Sequence, residues 1–301
     1  MTKLKYTIKN DALFKMLFVK YPDLLKRLVA ELLGIEYESI EHLEITNPEM
    51  PPESVGDKFC RLDINMTVDG KRVDLEIQVN NEGDYPERSL FYWAREYSTA
   101  IGEGDDYTQL PQTIIISIVD FKLFDCAAFH SEYQALEVTR HTLLTDKMDL
   151  HYFELPKLPA LEDAGYGKEL WLMLFNAETE EELERIEALE VPIMKQAIEA
   201  YRHVSASPEF REIERLRSKA RHDEAQALKN AEKRGEERGE ERANKKWESL
   251  VADSKAALAD TEAALADSKA ALADNEAALA EKDAKIAELL AQLGKENITK
   301  T

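Results

Sequence analysis

Two carboxylates and the spacing between them carry the first chemical signal in this chain. Asp63 and Glu76 lie on two alternating runs, Arg-Leu-Asp-Ile-Asn-Met-Thr-Val at residues 61–68 and Lys-Arg-Val-Asp-Leu-Glu-Ile-Gln-Val at residues 71–79. Between them stands Asp69-Gly70, and such a pair between alternating runs signals a two-residue hairpin turn. That turn sets Val68 against Lys71, Asn65 against Asp74, Asp63 against Glu76 and Arg61 against Gln78. Strand side chains alternate with period two, so Arg61, Asp63, Asn65, Asp74, Glu76 and Gln78 share one face. The other face holds Leu62, Ile64, Met66, Val68, Val73, Leu75, Ile77 and Val79, a core face.

Directly opposed strand residues have Cβ atoms roughly 4.5–5.5 Å apart, and like charges at that spacing repel. A hard divalent cation such as Mg²⁺, which carboxylates bind together with waters and phosphate, would relieve the repulsion. The plainer reading is an amphipathic hairpin with a wet polar face, where solvent dilutes the charges. The hairpin alone leaves both readings open.

The flanking elements follow from pattern. Asn10 or Asp11 caps a helix with the apolar stripe Leu13, Phe14, Leu17 and Phe18, and a second helix runs through residues 24–33 to Gly34. Lys15 sits among the apolar residues of the first helix, where a lysine normally snorkels to water. Residues 41–46 read as a short strand. Pro86 opens a helix carrying Leu90, Phe91, Trp93, Ala94, Tyr97 and Ile101, with Arg88, Tyr92 and Arg95 recurring along one side. The near-continuous apolar run at residues 113–119 predicts a fully buried central strand. Strand, helix, buried strand is a crossover unit and implies a mixed α/β sheet. Further strands are expected at residues 133–138 and 151–155, and helices from Lys168 onward. His130, His141 and His151 are far apart in sequence and read as ordinary core or surface histidines.

The chain has 301 residues and a formal charge of −21, which argues against a broad electrostatic grip on nucleic acid. Residues 1–100 hold 13 Lys and Arg against 18 Asp and Glu, a net of −5, so the acid is not confined to the tail. Any DNA-handling role therefore needs a metal, a local basic groove or a partner. Cys60 and Cys126 form no metal-ligand spacing and no disulfide framework, and buried free thiols are expected for both. No run approaches a membrane span, and a soluble, cytoplasmic protein is expected.

Toward the C-terminus, Lys-Arg-Gly-Glu-Glu-Arg-Gly-Glu-Glu-Arg precedes a seven-residue repeat in which Leu258, Leu265, Leu272, Leu279, Ile286 and Leu293 recur. Such a heptad points to a coiled coil, but the second seam position is mostly polar, so self-association along it should be weak. A solvated single helix or low-complexity spacer is the alternative. The expected division is residues 1–160 as the core, 161–246 as a helical extension with a charged linker, and 247–301 as the heptad-repeat tail.

One further pattern is specific. Asn-Asp-Ala-Leu-Phe-Lys-Met-Leu-Phe at residues 10–18, Arg-Leu-Asp-Ile at 61–64, Leu-Glu-Ile-Gln-Val at 75–79 and Pro-Glu-Arg-Ser-Leu-Phe-Tyr-Trp-Ala-Arg-Glu-Tyr at 86–97 occur in that order. Together they resemble the Rpn family of recombination-promoting nucleases and transposases, within the PD-(D/E)XK nuclease superfamily. The likeness extends over roughly the first two-thirds of the chain, through Glu154-Leu155-Pro156-Lys157 and Leu170-Trp171. The resemblance implies a restriction-endonuclease-like mixed sheet flanked by helices, and an Mg²⁺-dependent DNA endonuclease in which Mn²⁺ can replace Mg²⁺. It makes Asp63, Glu76 and the main-chain carbonyl of Ile77 metal ligands. Gln78 stands where the superfamily has lysine, a departure that removes a positive charge and leaves more of the work to the metal. Lys15 is then the candidate replacement cation, and Arg61, Arg88 and Tyr92 are candidate phosphate or DNA contacts. Two other readings stand beside this one: a degenerate nuclease-fold binding module, and an oligomeric scaffold built on the heptad helix.

Overall fold

The computed structural model describes residues 2–47 and 64–298, with side chains to residue 291. Cys60, Arg61, Leu62 and Asp63 lie outside the described residues. The first helix, α1 (Asp11–Lys20), is capped by the Asn10 side chain, which accepts from the Leu13 N–H at 3.0 Å. Proline opens α2 (Pro22–Leu33), and Gly34 ends it at φ 66°, a conformation suited to a residue without Cβ. The sheet follows as β1 (Leu43–Ile45), β2 (Ile64–Val68) and β3 (Lys71–Gln78), then α3 (Tyr85–Ser98), β4 (Thr113–Val119), β5 (His130–Tyr133) and β6 (Met148–Glu154). The helices α4 (Lys168–Asn176), α5 (Glu180–Glu187), α6 (Pro192–Ser205) and α7 (Pro208–Ile298) complete the chain.

The six strands form one mixed sheet in the order β1-β2-β3-β4-β6-β5, with β3–β4 and β4–β6 parallel and the other pairs antiparallel. The described part of the hairpin has the expected register, Val68 opposite Lys71 and Asn65 opposite Asp74, ending at Ile64 opposite Leu75. Asp69 and Gly70 both have positive φ, 48° and 80°, as a type I′ turn requires. The unusual backbone of Asp69 is supported by its own carboxylate, which accepts from the N–H groups of Glu41 at 3.1 Å and His42 at 2.7 Å.

Each face of the sheet is covered. Val73, Leu75, Ile114, Ile116 and Ile118 pack with residues of α1, α2, α4 and α6 in the main core. On the opposite face, Ile115, Val119, Leu150 and Tyr152 pack with Tyr85 of α3. All seven residues of β4 are buried, as expected of a strand covered on both faces and flanked by neighbours.

Several expectations need correction. The strand expected at residues 133–138 lies earlier, at His130–Tyr133, because the edge of β6 pairs with those residues. Beyond them Leu136 forms an isolated bridge with Leu143, and Val138 is exposed. Val79, placed on the core face by alternation, lies past the end of β3 and is exposed. Lys15 does not snorkel: only 2% of it is exposed. Cys126 is an exposed thiol rather than a buried one.

Contacts divide the chain into two compact units, Met1–Glu224 and Ala225–Thr301. In the first, the start of α7 is anchored by buried Phe210, by the Arg217–Asp11 ion pair and by the Asn10 amide, which donates to Glu214 at 3.2 Å. The second consists of the rest of α7, whose helix continues through Gly235 and Gly239. Abundant Ala, Leu, Lys and Glu favour the helix strongly, and pairs such as Glu241–Lys245 at 3.0 Å support it locally. These small contributions outweigh a cost of about 1 kcal/mol per interior glycine.

Candidate active site

Glu76 is the centre of a buried polar cluster. It occupies the face of β3 that α3 covers and lies in register with Ser117 of parallel β4. Pro86 near the helix start turns the chain into α3 and sets Tyr85 in its first turn. The Tyr85 hydroxyl donates to Glu76 Oε2 at 2.9 Å and lies 2.9 Å from Ser117 Oγ, whose proton it can accept. The Gln78 amide donates to Glu76 Oε1 at 2.6 Å. Each carboxylate oxygen thus has a fixed donor. Burial first, and then the Glu76 charge, push the Tyr85 hydroxyl well above its usual range, so it remains a donor at neutral pH.

Glu76 is 3% exposed and its neighbour Asp74 5%. The wet-face reading therefore fails for both carboxylates: α3 covers that face. Tyr85 and Ser117 are the residues that sequence reasoning missed. Tyr85 precedes the proline that marks the helix, and Ser117 is a single polar residue within an apolar run. Both become legible only once β3 and β4 are paired.

The remaining candidates are distributed around this cluster. Asp63 and Arg61 fall outside the described residues. Ile77 follows Glu76 in β3, with its side chain packed against the main core. Lys15 is buried in α1, within the helical layer that covers the opposite face. Arg88 lies at the rim, its guanidinium 5.4 Å from the centre of the Tyr85 ring and bonded to Glu82 at 2.9 Å. Tyr92 is half-buried one helical turn further along α3, with its ring 6.0 Å from that of Phe91. Asn65 lies opposite Asp74 and accompanies it in a polar pocket that also includes Arg72 and Glu96.

A second polar cluster occupies the other face of the sheet, at the β5–β6 edge. Antiparallel pairing sets Glu132 opposite His151 and His130 opposite Phe153. The rings of His130 and His151 stack, with Nε2 of the first 3.0 Å from Nδ1 of the second. His151, Asp149 and Glu132 each bring one ligand atom within 4.8 Å of the other two, a group able to hold a metal ion. Burial, then the positive charge of Lys168, push His130 down to about 4, which keeps its ring neutral at neutral pH. The expectation of unrelated histidines is thus corrected for His130 and His151. Their signal was His-x-Glu on one strand and Asp-x-His on its neighbour, visible only with the pairing known.

With the mixed sheet and the buried Glu76 established, the comparison of families is decisive. The sequence matches the PD-(D/E)XK nuclease family transposases over residues 8–231. The chain belongs to that family. The matched span includes the whole sheet, the Glu76 cluster and the start of α7. The resemblance to the Rpn family is consistent with PD-(D/E)XK membership, and a nuclease and transposase family implies DNA as the partner. No curated protein matches the chain, and no solved structure does. Among the described residues, no helix is long and apolar enough to cross a membrane.

Proposed function

We propose that this PD-(D/E)XK family member is an Mg²⁺-dependent DNA endonuclease whose chemistry centres on Glu76. The observation that carries the reading is a buried carboxylate fixed through both oxygens, by the Gln78 amide and the Tyr85 hydroxyl. A carboxylate held in one orientation by neutral donors is a suitable oxygen ligand for a hard cation. Extending the hairpin by one pair beyond Ile64 and Leu75 would set Asp63 across from Glu76, and we assign both as metal ligands together with the Ile77 carbonyl. Bound Mg²⁺ would polarise a phosphate oxygen and acidify a water.

The protein's own contribution is positioning. Tyr85 and Gln78 hold Glu76 in one orientation, and α3 excludes bulk water from that side. Gln78 carries no charge and Lys15 lies in the helical layer on the opposite face, so in this proposal the charge stabilisation that a motif lysine provides elsewhere falls to the bound metal. Arg61, Arg88 and Tyr92 contact the DNA backbone near the scissile phosphate. The exposed heptad leucines of α7 serve weak self-association of the chain.

The test is conversion of supercoiled plasmid to nicked or linear DNA by the full chain in Mg²⁺. Glu76→Gln keeps the shape of the side chain and removes its charge. Its cleavage rate should fall on the order of 10²–10³-fold, the scale seen when a single electrostatic contact to a reacting group is lost. Wild-type cleavage that persists in Glu76→Gln would remove Glu76 from the chemistry. One observation favours a second reading, a binding module without cleavage: the Gln78 amide is directed to Glu76, where other superfamily members carry a cationic lysine. Plasmid retardation by wild type without Mg²⁺- or Mn²⁺-dependent cutting would select that reading.

A further inference from the structure

We propose that the β5–β6 edge carries a second metal site, on the sheet face opposite Glu76, which binds a divalent first-row transition ion of the Zn²⁺ type through His151, Asp149 and Glu132. This proposal does not rest on the nuclease reading. His151 and Asp149 are 5% and 8% exposed, and their facing atoms Nε2 and Oδ1 lie 3.3 Å apart. Yet neither atom has a hydrogen-bond partner among the described residues. Two buried polar atoms this close that do not bond each other call for a third species to satisfy them.

The spacing fits an ion. Ligands bonded at about 2.0–2.1 Å with tetrahedral angles lie roughly 3.3–3.4 Å apart. Glu132, exposed on the edge strand, brings a carboxylate oxygen from the solvent side, and water can take the fourth position. An imidazole in the donor set favours Zn²⁺ and its neighbours over Mg²⁺, which prefers oxygen ligands and keeps its waters.

His130 is the positioning residue of this site. Its ring lies flat against Phe153, with centroids 4.3 Å apart and planes inclined by 10°. With the Nδ1–H of His151 donating to His130 Nε2, His151 keeps the Nε2 lone pair directed toward Asp149. Outer partners of this kind fix the tautomer and orientation of a ligating histidine. The bound ion would join the four-residue edge strand β5 to β6 through side chains as well as the backbone ladder.

The test is calorimetric titration of chelator-treated full chain with Zn²⁺ under saturating Mg²⁺, paired with thermal melts and ¹⁵N-imidazole NMR. Wild type and Glu76→Gln should each bind one Zn²⁺ outside the Glu76 centre, with a rise in melting temperature and a shift of the His151 Nε2 resonance. His151→Gln and Asp149→Asn should lose that binding. His130→Phe should weaken it by about 10–100-fold while leaving the metal-free melt near wild type. The NMR experiment on wild type keeps the test valid if a buried variant fails to fold. An unmoved His151 resonance, or Zn²⁺ binding that disappears in Glu76→Gln and persists in His151→Gln, would overturn the proposal. Loss of plasmid cleavage bears on the Glu76 centre alone.

Discussion

The two faces of the sheet hold polar clusters that solve the problem of burial in opposite ways. Around Glu76, both carboxylate oxygens receive hydrogen bonds from neutral donors. At the β5–β6 edge, the His130–His151 contact is satisfied, but His151 Nε2 and Asp149 Oδ1 have no hydrogen-bond partner among the described residues. The first arrangement fixes a carboxylate; the second leaves two close polar atoms that do not bond each other. The two proposed sites differ in donor chemistry in the same direction: carboxylate oxygen suits Mg²⁺, and imidazole suits Zn²⁺. A sheet covered on both faces lets one strand framework carry both without their sharing a residue.

The largest effects should separate the clusters. Glu76→Gln should reduce plasmid cleavage on the order of 10²–10³-fold and leave Zn²⁺ binding intact, whereas His151→Gln should abolish Zn²⁺ binding and spare cleavage. Loss of both properties in either variant, with the fold retained, would show the clusters to be coupled.

Next in size is Tyr85→Phe, which removes one buried hydrogen-bond donor to Glu76. Urea denaturation should show a loss of about 1–3 kcal/mol, with cleavage reduced as well because Glu76 is less firmly oriented. Unchanged stability would mean that the Tyr85 hydroxyl adds little to holding the carboxylate.

A reference away from both clusters comes from Tyr201, whose hydroxyl donates to the Tyr6 carbonyl at 2.6 Å. Burial, followed by the nearby Glu180 charge, pushes it up to about 12 from an ordinary value of 10.0. The unfolded chain therefore releases this proton near pH 10 while the folded chain keeps it. Its contribution is complete below pH 10 and is lost as pH rises toward 12. Melting temperature should fall over that window, and Tyr201→Phe should flatten the decline.

The smallest effect is expected in the second unit. Replacing Leu265 and Leu272 with Asp should lower the apparent mass by light scattering at high protein concentration and leave plasmid cleavage unchanged. An unchanged mass would identify the repeat as a spacer.

Much of the fold was legible because its cues are local. Asp69-Gly70 determined the register, period-two alternation separated the faces, and the unbroken apolar run of β4 marked the sheet centre. The Glu76 acid was legible by position, but its surroundings were not. Tyr85 and Ser117 reach it through a helix crossover and a parallel pairing, contacts that no local pattern encodes. For the same reason His130 and His151 seemed unrelated: residues 21 apart in sequence meet only through an antiparallel edge. The displaced β5 shows the limit from the other side. Residues 133–138 alternate well enough for a strand, but β6 offers its hydrogen bonds to the preceding residues.

The heptad leucines of α7 have a geometric consequence. Leu258, Leu265, Leu272, Leu279 and Ile286 are all more than half exposed along a continuous helix. A straight α-helix has 3.6 residues per turn, so a stripe repeating every seven residues drifts by about 20° per heptad. Over the four intervals from Leu258 to Ile286 the stripe swings by roughly 80° around the helix. A partner that keeps contact with every leucine must therefore wind with it, and the handedness of that wrap is left-handed.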